Sequence, residues 1–203
     1  VEPEGASCLK ASMEAGKVVT LDRVSTIADG TAVKTPGALI FPYLAKNLDA
    51  ILTVGDEELV VAFLDMVENH KMVVENSGLL TVAALKHLNI KNKKVVAILS
   101  GGNMDVITMS SVVQQGLIMR DRIFTVSVLL PDKPGELSRV ADVIAKESGN
   151  VIKLEHNQFI SINRSAAVEL RITMEAFGTD HKHQIIKALE KNGYKPKLVR
   201  TNI

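Results

Sequence analysis

Tryptophan is absent from this 203-residue sequence and aromatic residues make up only 3% of it. That leaves no basic stripe with interleaved aromatics of the kind that stacks on single-stranded nucleic acid. Neither sign of charge dominates: 24 Lys and Arg face 23 Asp and Glu, for a net charge of +1. Such a balance provides no field for nucleic acid or for an anionic membrane. The single cysteine, Cys8, excludes an internal disulfide, and a cytoplasmic protein is expected. No apolar run approaches the roughly 20 residues needed to span a bilayer. The opening Val1-Glu2-Pro3-Glu4-Gly5 lacks the basic start and apolar middle of a signal peptide. It reads instead as the end of a strand whose preceding structure lies outside the chain.

What is present fits two small domains with substantial cores. The most informative stretch is Lys94-Val95-Val96-Ala97-Ile98-Leu99, an apolar, largely β-branched run that predicts a buried parallel strand. It empties into Ser100-Gly101-Gly102-Asn103 before a helical pattern restarts at Asp105. In open α/β sheets, ligands lie beyond the carboxyl ends of strands, where glycines allow close backbone approach. Two glycines after a strand are also an ordinary tight turn, so this stretch alone does not decide.

Ahead of it, Ser7 to Ala15 predicts a helix ended by Gly16, and Gly16 to Tyr43 a long irregular connection. Ala50 to Val54 and Met72 to Val74 predict strands. Asp56 is placed to cap a helix carrying Leu59, Val60, Phe63, Leu64 and Val67. Asn76 or Ser77 opens another with Leu80, Ala83, Ala84, Leu85 and Leu88 on its face, and a further helix covers Asp105 to Gln115. The alternation implies an α/β domain with a parallel, helix-flanked sheet.

The pattern changes near Leu117. Phe124, Val126, Val128 and Leu130 alternate with Thr125, Ser127 and Leu129, as in a sheet with one wet side. Pro131 to Gly135 turns into a helix with the stripe Leu137, Val140, Ala141 and Ile144. Strands follow at Asn150 to Gln158 and Ala167 to Met174, then a helix from Asp180 to Gly193 and a last strand at Pro196 to Thr201. The order βαββαβ is that of a ferredoxin-like sandwich. The boundary lies between 118 and 119, in a linker from Gly116 to Asp121.

Four segments occur together in this order: Val1-Glu2-Pro3-Glu4-Gly5-Ala6, Thr26-Ile27-Ala28-Asp29-Gly30, Val73-Val74-Glu75-Asn76-Ser77-Gly78 and Ile98 to Asp105. As a set they resemble threonine dehydratases (threonine ammonia-lyases), pyridoxal-phosphate enzymes of fold-type II. The second domain, with Asp132-Lys133-Pro134-Gly135-Glu136-Leu137 and Gly149-Asn150-Val151, resembles an ACT domain, an amino-acid-sensing module. The resemblance implies the C-terminal half of such an enzyme: an incomplete catalytic sheet at 1–118 and a regulatory domain at 119–203.

Carried over residue by residue, the resemblance implies that the Ser100 hydroxyl meets the pyridine nitrogen of the cofactor. Gly101 and Gly102 let the ring lie against the backbone, Glu75 and Ser77 stand near it, and Gly30 lines its edge. Threonine would lose water and then ammonia to give 2-oxobutanoate. Pro134, Gly135, Asn150 and Val151 would contact an amino-acid effector, and a homo-oligomer, dimer or tetramer, is expected. Relatives such as serine racemase bind a divalent cation at positions matching Glu2, Ala6 and Cys8; a thiol at the third departs from the oxygen donors such an ion prefers, so no metal is expected. His181 and His183 read as solvated, and His70, His87 and His156 as isolated.

The family's Schiff-base lysine and glycine-rich phosphate loop lie upstream of the matching part, and Lys34 falls in a stretch that matches elsewhere. The chain alone is therefore expected to be inactive and to bind the cofactor poorly. Each motif also has a plain reading: Glu75 and Ser77 suit a helix N-terminus, and Asp29-Gly30 a turn. A stand-alone amino-acid-binding or oligomerisation module and part of a serine dehydratase remain as alternatives. A nucleotide site at Ser100-Gly101-Gly102 lacks the Gly-x-Gly-x-x-Gly spacing.

Overall fold

A computed structural model of the chain describes residues 1–157 and 168–202. It divides into two compact units, Val1–Val113 and Gln114–Ile203. Gln158 and Ala167, at the facing ends of two predicted strands, lie outside the described residues.

In the first unit the chain enters as β1 (Glu2–Pro3), which pairs in parallel with β2 (Thr53–Val54). Helix α1 (Cys8–Ala15) follows, ended by Gly16 in the left-handed region as its C-terminal glycine predicts. Both Glu2 carboxylate oxygens accept from the first turn of this helix, from the Leu9 and Lys10 N–H groups at 2.8 Å each. That satisfies two of the free donors at the helix start.

The long irregular connection ends earlier than expected, because α2 (Phe41–Asn47) forms over it. Pro42 lies in its first turn, where a missing N–H breaks no helical bond. The next helix, α3 (Asp56–Asp65), is capped by Gly55 and not by Asp56. Glu58 reaches back to the Gly55 N–H at 2.9 Å, leaving the Asp56 carboxylate for another task. Leu59, Phe63 and Leu64 of α3 pack in a core with Val54, Val74, Leu79 and Leu80. Residues 76–87 form successive short turns around α4 (Leu80–Ala83).

The predicted parallel sheet is reduced to this one pair. Among the described residues no strand is assigned at Met72 to Val74 or at Lys94 to Leu99, and Ala50 to Val54 contracts to two residues. Val96 is 89% exposed and Ile98 71%. A β-branched run favours extended backbone, but only a neighbour completes a ladder, and none pairs with this run. It is tethered instead by the Thr81 hydroxyl, which donates to the Ile98 carbonyl at 2.7 Å.

Helix α5 (Val106–Met119) runs past the expected end at Gln115. Asp105 caps it, accepting from the Ile107 and Thr108 N–H groups and the Thr108 hydroxyl. The Thr108 hydroxyl, foremost among these donors, holds the Asp105 carboxyl below its ordinary range. Most of the stretch expected as linker is thus the last turn of a helix.

The second unit contains β3 (Ile123–Leu130), α6 (Glu136–Lys146), β4 (Asn150–Asn157), β5 (Val168–Glu175), α7 (Thr179–Lys191) and β6 (Lys197–Val199). Its antiparallel sheet has the order β4-β5-β3-β6. This is the split βαβ arrangement that the βαββαβ pattern predicts. Val126, Val128, Leu170, Ile172 and Met174 meet Val140, Ile144, Ile185 and Leu189 in its core. The stripe of α6 is Val140, Val143 and Ile144, whereas Leu137 and Ala141 are exposed. Leu137 shares the face of Ile144, seven residues on, but lies in the first turn of the helix.

Candidate functional site

Three backbone segments of the first unit converge. The first is the turn Glu75 to Gly78, in which Glu75 is extended and its carbonyl accepts from the Gly78 N–H at 2.9 Å. The second is Ser100 to Asn103. Its Asn103 N–H donates to Glu75 Oε2 at 3.1 Å, fixing the carboxylate against the loop. Gly101 has φ +80°, and a Cβ there would overlap the Glu75 carboxyl, so both conformation and space demand glycine. Likewise a Cβ on Gly78 would land on the Ser100 carbonyl.

The third segment is Thr26 to Thr31. A Cβ on Gly30 would stand 2.9 Å from Ser77 Oγ and 3.7 Å from Glu75 Oε1. The structure therefore brings Gly30, Glu75, Ser77, Ser100 and Gly101 into one cluster. Gly102 stands apart, with open space where its Cβ would be. Ser77 Oγ is buried and has no hydrogen-bond partner among the described residues. A buried hydroxyl left unpaired costs about 1–3 kcal/mol, which a bound polar group would recover. The cluster offers a carboxylate and an unpaired hydroxyl beside glycine backbone open on the Gly102 side, a set of groups that fits a polar-edged cofactor.

Residues 1–101 match the model of the pyridoxal-phosphate dependent enzymes. This part of the chain belongs to that family. The chain is 35% identical over 196 residues to the L-threonine ammonia-lyase of Geobacter sulfurreducens, covering 96% of this chain and 49% of that protein. It is 31% identical over 200 residues to that of Thermotoga maritima, covering 98% and 50%. The chain thus spans about half the length of the curated relatives it matches. The processed form of threonine deaminase isoform 2 from Solanum lycopersicum superposes with a TM-score of 0.52 at 31% identity, over 56% of this chain and 34% of that one. In pyridoxal-phosphate enzymes generally, the cofactor carries the chemistry and the protein orients it.

Other expected sites can be placed as well. Lys34 donates its amine to the Asp22 carbonyl at 2.8 Å. At the position matching a relative's metal site, Glu2 is engaged on α1, and Cys8 is buried. Burial first, and the Glu2 charge second, push the Cys8 thiol up. In the second unit, Gly135 has φ +89° at the start of α6, with open space around it. Asn150 opens β4 and donates to Glu175 Oε2 at 2.8 Å, and Val151 is half-buried against the core. Pro134 is exposed.

Two histidines differ from expectation. His87 is not isolated: its Nε2 lies 2.8 Å from Glu58 Oε1. Burial pushes the Glu58 carboxyl up, but the Gly55 N–H and His87 outweigh it and hold the group below its ordinary value. Nor is His181 merely solvated. Its Nδ1 accepts from the Phe177 N–H at 3.0 Å, so Nε2 carries the proton and donates to the Glu147 carbonyl at 2.6 Å. Its ring also stacks on Phe177, with centroids 4.8 Å apart. Asp56 and Asn76, which the sequence offers only as helix caps, prove to hold the 26–31 loop. No local pattern signals this, because their partners lie 29 to 49 residues away.

Proposed function

We propose that these residues form part of a pyridoxal-phosphate-dependent L-threonine ammonia-lyase, converting threonine to 2-oxobutanoate and ammonia by β-elimination. The observation that carries this reading is the convergence of Gly30, Glu75, Ser77, Ser100 and Gly101 within the family-matched region. Bound pyridoxal phosphate would supply the electron sink for loss of the β-hydroxyl. Ser100 would offer a neutral hydroxyl to the ring nitrogen, a weaker partner than a carboxylate, which would favour prompt elimination. Glu75, fixed by the Asn103 N–H, would hold an acceptor beside the cofactor. The unpaired Ser77 hydroxyl would be available to it, Gly30 and Gly101 would leave room, and Gly102 would keep the approach open.

The second unit in this reading is an ACT regulatory domain, with the catalytic part at 1–118 and the regulatory part at 119–203. The strand order and the left-handed Gly135 at the start of α6 support it. An amino-acid carboxylate suits the free N–H groups there, with Asn150 and Val151 as further contacts once Asn150 exchanges its bond to Glu175. An effector shifts the enzyme by binding one arrangement of an oligomer better than another.

The test is keto-acid formation with pyridoxal phosphate, measured for the 203 residues alone and for a complete protein that carries them. The complete protein is expected to form 2-oxobutanoate from L-threonine and the 203 residues alone nothing. Activity of the 203 residues alone would overturn their reading as a part. Pyruvate from L-serine, with threonine untouched, would make the complete protein a serine dehydratase.

A further inference from the structure

Side chains hold both backbone groups of Ile27 and share in holding those of Ala28, whose carbonyl also accepts from the Thr31 N–H at 3.0 Å. The Thr26 hydroxyl donates to Asp56 Oδ1 at 2.6 Å, and the Ile27 N–H to Asp56 Oδ2 at 3.2 Å. The Ala28 N–H donates to Thr26 Oγ1 at 3.1 Å, and the Ala28 carbonyl accepts from the Thr31 hydroxyl at 2.9 Å. The Ile27 carbonyl accepts from Asn76 Nδ2 at 3.1 Å. Asn76 is only 4% exposed, and its Oδ1 has no partner among the described residues. A buried amide kept at the cost of one unpaired acceptor is being retained for its donor.

Asn76 lies between Glu75 and Ser77 in the turn that forms one wall of the cluster. The loop it grips carries Gly30, which forms the facing wall. We propose that Asn76 is a positioning residue that sets the gap between these walls, with Asp56 anchoring the far side of the loop. Gly30 faces Ser77 closely enough that a Cβ would stand only 2.9 Å from its hydroxyl, so a small slip of the loop closes or opens the pocket edge. The purpose of the gap rests on the cofactor reading above; the grip itself does not.

The experiment uses the complete protein, with Asn76→Asp and Asn76→Ala. Asp sets a carboxylate against the Ile27 carbonyl, and Ala removes the donor without repulsion, which keeps a folded variant available. Amide exchange at Ile27 and Ala28 is expected to rise on the order of tenfold in both. The Leu9 and Lys10 amides, held by Glu2, should stay unchanged. Pyridoxal phosphate, followed by its absorbance, should then dissociate severalfold more readily. Unchanged exchange at 27 and 28, or an equal rise throughout the first unit, would overturn the positioning role. A loosened loop with unaltered cofactor retention would keep the grip and overturn the cofactor-site reading.

Discussion

The two units treat the same kind of sequence in opposite ways. Val126, Val128, Leu170 and Ile172 are alternating apolar residues, and every one is buried because β3 and β5 pair along their whole length and α6 and α7 cover one face. Lys94 to Leu99 is more uniformly apolar, yet it is unpaired and largely exposed. Hydrophobicity and β-branching state a preference for extended backbone; the strand itself is a property of the neighbours. An exposed apolar run outside any ladder is a template for strand pairing.

The sharpest way to test the contrast is to remove a comparable side chain from each run. Ile172→Ala is expected to destabilise the second unit by about 2–5 kcal/mol, through lost burial and the cavity left behind. Val96→Ala, at an exposed position, should change stability by no more than about 0.5 kcal/mol. Denaturant unfolding followed by circular dichroism reads both, and equal losses would erase the distinction.

A smaller effect is expected at Gly101, the glycine packed against the Glu75 carboxyl. Gly101→Ala places a Cβ in a strained conformation and into the Glu75 carboxyl, a cost of about 1–3 kcal/mol confined to the first unit. Thermal unfolding should show it, and the Asn103 amide, freed from Glu75, should exchange faster. An unchanged Asn103 amide would mean that the carboxylate moves aside without consequence.

The least effect, and one confined to the second unit, comes from acid. The Lys182 ammonium, 2.6 Å away, holds the Asp121 carboxyl below its ordinary value, with further help from the Thr179 hydroxyl. The Ser127 hydroxyl and then Arg171 do the same for Glu169. Both groups release protons more readily when folded. Their contribution is therefore complete above the ordinary carboxylate pKa of about 4 and is lost as the pH falls through their lower folded values. Asp121→Asn should lower the melting temperature near neutrality, and the deficit should shrink as the pH falls below about 4, so that the variant's acid decline is the flatter of the two.

Legibility followed the range of the interactions. The strands and helices of the second unit announce themselves through alternation and turns, since each residue's environment is set by its nearest ladder. Gly16 and Asp105 act where local geometry says they should, at a helix end and a helix start. Gly30, Glu75, Ser77, Ser100 and Gly101 were readable only as an ordered set, and the structure brings them together. Asp56 and Asn76 were not readable in their actual roles. A capping residue and a side chain gripping a distant loop have the same composition, and only the tertiary fold distinguishes them. The end of the irregular connection was misplaced for a related reason: Pro42 marks a turn or a helix start equally well. His87 and His181 drew their partners from other elements, Glu58 and Glu147.

Cys8 has a practical consequence. It is the one thiol of the sequence, it lies buried at the start of α1, and its surroundings disfavour the thiolate. Alkylating reagents attack the thiolate of an accessible sulfur, so the native chain should react slowly. When the first unit opens, the sulfur becomes ordinary and reacts. The rate at which one label enters the chain is therefore a clock for that opening.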